Sequence, residues 1–137
     1  MSTLATIAVG VLAQQAGVDV ATLHYYERLG LIAKPRRAAG GLQLYRTTDV
    51  ARVTFIRRTK DLGFSTEAIR ELLGMTERGR HTCGDVHDLA ERHLLDIRRR
   101  LQDLTRLEAV LAPLVSACSQ EDSIAHCPIV NALSHPV

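Results

Sequence analysis

No stretch of this 137-residue chain stays apolar for the roughly 18 to 20 residues that a helix needs to cross a bilayer, so no membrane-spanning helix is expected. Residues Met1 to Thr6 carry no basic region followed by a long apolar stretch; no secretory signal is expected, and the predicted compartment is the cytoplasm. Cysteine is scarce. There are three, an odd number, which in a reducing compartment argues against a closed set of structural disulfides. A Cys-x-x-Cys pair, a Gly-rich phosphate loop and a nucleophile elbow are all missing, which removes the usual signatures of a thiol enzyme; no enzymatic activity is expected. Extreme composition is missing as well: 46% hydrophobic and 23% charged residues are ordinary for a globular chain and exclude disorder as its main theme.

What is there is unevenly distributed. The formal net charge of +2 splits into +5 over residues 1–80 and −3 over residues 81–137, and all three cysteines lie in the acidic part. A basic front is the electrostatic requirement for holding phosphates, although solvated surface charge has the same composition.

Val9 to Leu29 reads as two short helices around Gly17-Val18-Asp19, the first with Val11, Leu12 and Ala16 inward, the second with Val20 and Leu23 inward. Thr22, His24, Tyr25, Tyr26 and Arg28 supply polar reach on the second helix. This is the sequence shape of a helix-turn-helix, whose second helix enters a major groove; an ordinary αα-hairpin in a core has the same shape. Pro35 to Tyr45 adds a basic loop with Gly40-Gly41, then an alternating Leu42-Gln43-Leu44-Tyr45, the pattern of a small β-hairpin or wing. A helix is predicted from about Thr48 to Leu62, with Val50, Val53, Phe55, Ile56 and Thr59 inward and Arg52, Arg57, Arg58 and Lys60 facing water or phosphate. Ser65 is the predicted N-cap of another helix to about Met75, striped by Ala68, Ile69, Leu72 and Leu73.

From about Gly84 to Ala117 the sequence reads as one long amphipathic helix. Val86, Ala90, Leu94, Ile97, Leu101, Leu104, Leu107, Leu111 and Val115 recur at mostly three- and four-residue steps. So narrow a stripe on so long a helix implies a partner helix. Pro113 predicts that the helix bends or loosens there. A polar loop, Ser119 to His126, and a Pro-started helical turn from Cys127 to about Leu133 follow.

Cys83 and Cys118 are 35 residues apart at opposite ends of that helix, on the order of 50 Å at about 1.5 Å per residue. Two chains packed antiparallel would bring Cys83 of one to Cys118 and Cys127 of the other. With Cys83 opposite Cys118, the same register sets Val86 opposite Val115, Ala90 opposite Leu111, Leu94 opposite Leu107 and Ile97 opposite Leu104, all apolar pairs. A lone cytosolic cysteine is more often a small buried hydrophobe. Here Cys83 follows Arg80-His81-Thr82 at a helix start, and Cys118 and Cys127 bracket eight residues, so a three-thiolate metal site is the stronger reading. Thiolates select soft or borderline ions; three sulfurs suit trigonal mercury or lead, while a fourth ligand from His81, His87 or His126 would admit zinc or cadmium. A metal-buffering protein without specific DNA binding is the rival reading.

The run GVLAQQAGVDVATLHYYERLGLI, the segment Gly41 to Tyr45 and the run DVARVTFIRRTKDLGFSTEAIRELL together resemble the DNA-binding domain of MerR-type transcription regulators. The tail, from Cys83 through ACSQEDSIAHCPIV, resembles the metal-sensing branch and most closely its mercury-responsive members, with Cys127-Pro128-Ile129 as the pointer. The resemblance implies a mainly α fold: a winged helix-turn-helix domain over 7–76, a hinge and antiparallel coiled-coil dimerisation helix over 77–117, and a metal-binding loop and tail over 118–137. It implies a homodimer on promoter DNA that acts with RNA polymerase, a repressor when metal-free and an activator when Hg(II) binds, with Pb(II), Cd(II) or Zn(II) as alternative inducers. The metal would be held by Cys83 of one subunit and Cys118 and Cys127 of the other. DNA would be met by Thr22, His24, Tyr25, Tyr26, Arg36, Arg37, Gln43 and Tyr45. Two positions depart from the family, which usually has Arg where this chain has His24 and Gln43.

Overall fold

The computed structural model describes residues 5–136. They are mostly helical, with one small sheet. The chain separates into two compact units, one reaching Val86 and one from His87 onward.

In the first unit, strand β1 (Thr6–Ala8) leads into α1 (Val9–Ala16) and α2 (Val20–Arg28), followed by β2 (Arg36–Arg37), β3 (Gln43–Arg46), α3 (Asp49–Asp61) and α4 (Thr66–Arg78). The turn between α1 and α2 forms because Gly17 takes a φ of 73°, which lets the Val18 N–H reach back 3.0 Å to the Ala13 carbonyl. Asp19 then starts α2 by accepting 2.7 Å from the Thr22 N–H, and the Thr22 side chain, together with that backbone bond, lowers its carboxyl below the ordinary aspartate range. Ser65 caps α4 as predicted, its hydroxyl accepting from the Ala68 N–H at 3.1 Å.

The predicted wing is present. β2 and β3 pair antiparallel, Arg36 with Leu44 and Arg37 with Gln43, around a turn in which Gly40 has a φ of 89°. The sequence did not disclose β1, which pairs antiparallel with the other edge of β3, Ile7 opposite Tyr45. The sheet order is therefore β1-β3-β2, with the hairpin's return strand in the centre.

The core gathers Leu12, Leu23, Leu31, Val53, Ile56 and Ile69, all fully buried, with Ala16, Tyr26, Tyr45 and Leu73. Two inward assignments are corrected. Val11 and Val20 are exposed, because helices of eight and nine residues bury only a narrow side, and Ala13 and Tyr26 fill it instead. Two of the three outward arginines of α3 are corrected too, while Arg58 is exposed as expected. Arg52 donates from Nε to the Leu31 carbonyl at 2.7 Å, and Arg57 from Nε to the Ala16 carbonyl at 3.1 Å. With Arg70, which donates to the Leu29 carbonyl at 2.6 Å, they satisfy carbonyls at and just beyond the C-terminal ends of α1 and α2, where no helical donor remains.

The second unit consists of most of α5 (Cys83–Ala117), a 3-10 turn (Ile124–His126) and α6 (Pro128–Ser134). The helix does not loosen at Pro113 but runs on to Ala117. The ring removes one donor, that to the Ala109 carbonyl, on a residue that is exposed. Leu101, Leu104, Leu107, Leu111 and Val115 are each more than half exposed. A row of large apolar side chains in water is the costly feature of this unit.

Candidate nucleic-acid interface and metal centre

Helix α2 has two sides. Leu23 and Tyr26 turn into the core, while Ala21, Tyr25 and Arg28 are exposed and Thr22 and His24 half-buried. The exposed Tyr25 ring lies under two cations, the Arg28 guanidinium at 5.9 Å and the Lys60 ammonium at 5.8 Å from its centroid. The outward side of the helix thus joins polar groups able to reach base edges with positive charge able to meet phosphates.

The wing continues the charge. Arg36 and Arg37 are exposed, Gln43 is half-buried beside Arg37, and no acidic partner engages either arginine among the described residues. Lys34, Arg36 and Arg46 line an open recess of about 320 Å³ whose lining also includes Tyr45 and Asp49. Asp49 itself is buried and accepts from the Arg46 N–H at 3.0 Å, leaving the Arg46 side chain to solvent.

Two residues predicted to reach outward do not. Tyr26 is 4% and Tyr45 2% exposed, and both belong to the core. The Tyr45 hydroxyl donates to Glu27 Oε1, a link between β3 and α2 that a reading of the sequence missed. Burial first, then the hydrogen bond and negative charge of Glu27, push the Tyr45 phenol well above its usual value near 10. The folded protein therefore keeps this proton where the unfolded chain would lose it, and stability falls as pH rises above about 10. Tyr45→Phe is expected to cost about 1 to 3 kcal/mol at neutral pH, since it strands a partly buried carboxylate. It should also remove that alkaline component, both effects read by urea denaturation at pH 7 and above pH 10.

The three thiols are free, Cys83 exposed and Cys118 and Cys127 partly buried. Cys83 is the first residue of α5, and the Thr82 N–H preceding it donates to Asp85 at 2.9 Å, half of a capping box. That bond, with His81 at 3.3 Å, holds the Asp85 carboxyl below its ordinary range. Cys118 follows α5 directly, its N–H on the Val115 carbonyl at 3.2 Å. Cys127 closes the 3-10 turn through the Ile124 carbonyl at 3.1 Å and accepts the first bond of α6 from the Asn131 N–H at 3.0 Å. Between them a turn, Asp122 N–H to Ser119 carbonyl at 3.1 Å, and the Ser123–His126 side-chain contact at 3.0 Å order the loop.

Of the histidines considered as a fourth ligand, His81 is engaged by Asp85 and His126 by Ser123. His87 lies with Asp88 and Glu91, their ligand atoms within 4.8 Å of one another, all exposed on α5. No helix among the described residues is long and apolar enough to cross a membrane.

Two family models match the chain. One, described as MerR HTH family regulatory protein, spans residues 7–76; the other, described as MerR, DNA binding, spans residues 50–114. The mercuric resistance operon regulatory protein of Pseudomonas fluorescens is 41% identical over 130 residues, covering 95% of this chain and 89% of the relative. Among solved structures, the regulator PbrR691 of Ralstonia metallidurans CH34, in complex with lead(II), superposes with a TM-score of 0.80 at 31% identity, covering 93% of this chain and 99% of that one. A dual-function MerR of Bacillus megaterium MB1, in complex with mercury(II), superposes with a TM-score of 0.67 at 37% identity, covering 94% of this chain and all of that one.

Proposed function

The chain belongs to the MerR family of DNA-binding transcription regulators and is a metal-responsive member of it; from that premise we propose that it is a homodimeric sensor of Hg(II) controlling metal-resistance genes. Residues 7–76 bind promoter DNA, 77–117 form the hinge and dimerisation helix, and 118–137 carry the metal loop. The observation that carries this reading is the exposed apolar row on α5, flanked by free thiols at both ends of the helix. A second α5 laid antiparallel removes that row from water and sets Cys83 of one subunit beside Cys118 and Cys127 of the other.

In the metal-free state the dimer sits on a promoter and represses. When the ion bridges the subunits it favours a second arrangement of the DNA-binding units, in which the DNA is distorted so that RNA polymerase engages both promoter elements. Smooth bending of a site costs on the order of 1 to 6 kcal/mol, and the ion contributes only through its preference between the two arrangements. Three sulfurs on one soft ion provide that preference. The DNA contacts come from Thr22, His24 and Tyr25 on α2 and Arg36, Arg37 and Gln43 on the wing. Tyr26 serves the core, and Tyr45 acts from within it by tying β3 to α2 through Glu27.

Lead(II) is the second reading, supported by the higher structural similarity to the lead(II)-bound regulator. Titration of the purified protein with Hg(II), Pb(II), Cd(II) and Zn(II) against a competing thiol separates the two. One Hg(II) per chain, retained where the other ions are stripped, is the expected result. Selective retention of Pb(II) would transfer the assignment to lead, and an ion bound by a monomer would remove the dimer from the account.

A further inference from the structure

His24 lies on α2 and is not alone. Its Nδ1 lies 3.5 Å from Glu27 Oε2, one helical turn on, and the other oxygen of that carboxylate accepts the Tyr45 hydroxyl. The Glu27 side chain is only 13% exposed, whereas His24 is 37% exposed on the outward side of α2, and its Nε2 meets no partner among the described residues.

We propose that His24 is a base-reading residue with its hydrogen-bond polarity set by Glu27, and that it recognises an exocyclic amino group, adenine N6 or cytosine N4, in the major groove. This rests on α2 being the DNA-reading helix. A carboxylate only accepts, so the Glu27 oxygen facing the ring places the imidazole proton on Nδ1. In the neutral ring Nε2 is then a bare acceptor. An acceptor finds a donor in the major groove only at the amino groups of adenine and cytosine, whereas Arg reads the acceptors O6 and N7 of guanine. An acceptor here therefore reads the opposite base edge from the one an Arg would read. Glu27 is a positioning residue in this scheme, and Tyr45 holds Glu27.

The test selects binding sites from a random duplex library with the full-length protein, the wild type beside His24→Ala, His24→Arg, Glu27→Gln and Tyr45→Phe. The pair whose preference flattens in His24→Ala is the one residue 24 reads. At that pair the wild type should favour adenine or cytosine on the contacted strand. An analogue lacking the amino group should weaken binding about 3- to 10-fold, to the level of His24→Ala. His24→Arg should turn the preference to guanine. In Glu27→Gln the amide keeps its oxygen on Tyr45 and turns its NH2 to His24, which moves the imidazole proton to Nε2; binding should then no longer depend on the amino group, and preference should move to the acceptors O6 and N7 of guanine, O4 of thymine or N7 of adenine. Tyr45→Phe keeps the carboxylate but releases its anchor on β3, and should lower stability and weaken the preference for the amino group without inverting it. A wild-type preference for guanine, indifference of the wild type to removal of the amino group, or an unchanged dependence on that group in Glu27→Gln overturns the proposal. A wild type that selects no sequence at all overturns the DNA-reading role of α2 itself, a distinct result.

Discussion

Replacing Cys118 with Ala is expected to leave operator binding within about twofold of the wild type while reducing metal-dependent transcription to the uninduced level. The two effects separate because Cys118 lies beyond the end of α5, far along the chain from α2 and the wing, and its N–H bond to Val115 needs no thiol. Two sulfurs remain, so an ion still binds, but without the third it loses the preference between dimer arrangements on which DNA distortion depends. A gel-shift titration and a reporter assay on the same variant read the two quantities. The sharper form uses two variants together. Cys83→Ala and Cys118→Ala homodimers each lack complete sites, whereas a mixed dimer regains one, with Cys83 from one chain and Cys118 and Cys127 from the other. Recovery of three-sulfur metal coordination on mixing, in half as many complete sites as the wild-type dimer has, is the expected outcome. Full induction by Cys118→Ala alone would refute the switch.

The second large effect is expected from Leu104→Glu. Leu104 sits in the middle of the exposed row on α5, and in the antiparallel register it faces Ile97 of a partner subunit. An isologous dimer carries every substitution twice. Losing two buried leucines at about 2 to 3 kcal/mol each, before any cost of burying two carboxylates, raises the dimer dissociation constant by about 10³ to 10⁴. Sedimentation should find a monomer at micromolar concentration, and operator affinity should collapse because one unit cannot span two half-sites. Retention of helix content and of the first unit's thermal transition is expected, since Leu104 is exposed within the chain and belongs to the second unit. A dimeric Leu104→Glu protein would place the interface elsewhere.

Local signals were legible and for a shared reason: a cap or a turn is decided by residues within four positions of it. Gly17 with Asp19, Ser65 before α4, and Gly40-Gly41 in the wing each carry their own stereochemistry, and the structure has each where the residues place it. The resemblance to MerR-type regulators was carried by the same local runs, which is why the family was legible from residues alone. β1 was not, because three residues without a turn signal become a strand only by pairing with β3, some forty positions later. Arg52 and Arg57 read as surface charge because their partners are backbone carbonyls 21 and 41 residues away, and every residue has a carbonyl.

Tyr26 and Tyr45 show the same division at the candidate interface. Both have the chemistry of a DNA contact, and nothing in the one-dimensional pattern distinguishes them from Tyr25, yet Tyr25 is exposed and the other two are enclosed. The amino-acid sequence by itself determined the helices, the turn glycines, the amphipathic row and the thiols at its ends, because spacing along a chain is preserved when it folds. Tertiary structure decided which cations remain free for phosphate, which tyrosines serve the core, and that Glu27 stands between His24 and Tyr45. Those are questions of which partner arrives first at a given hydrogen-bonding group, and partners distant in sequence are brought there only by packing.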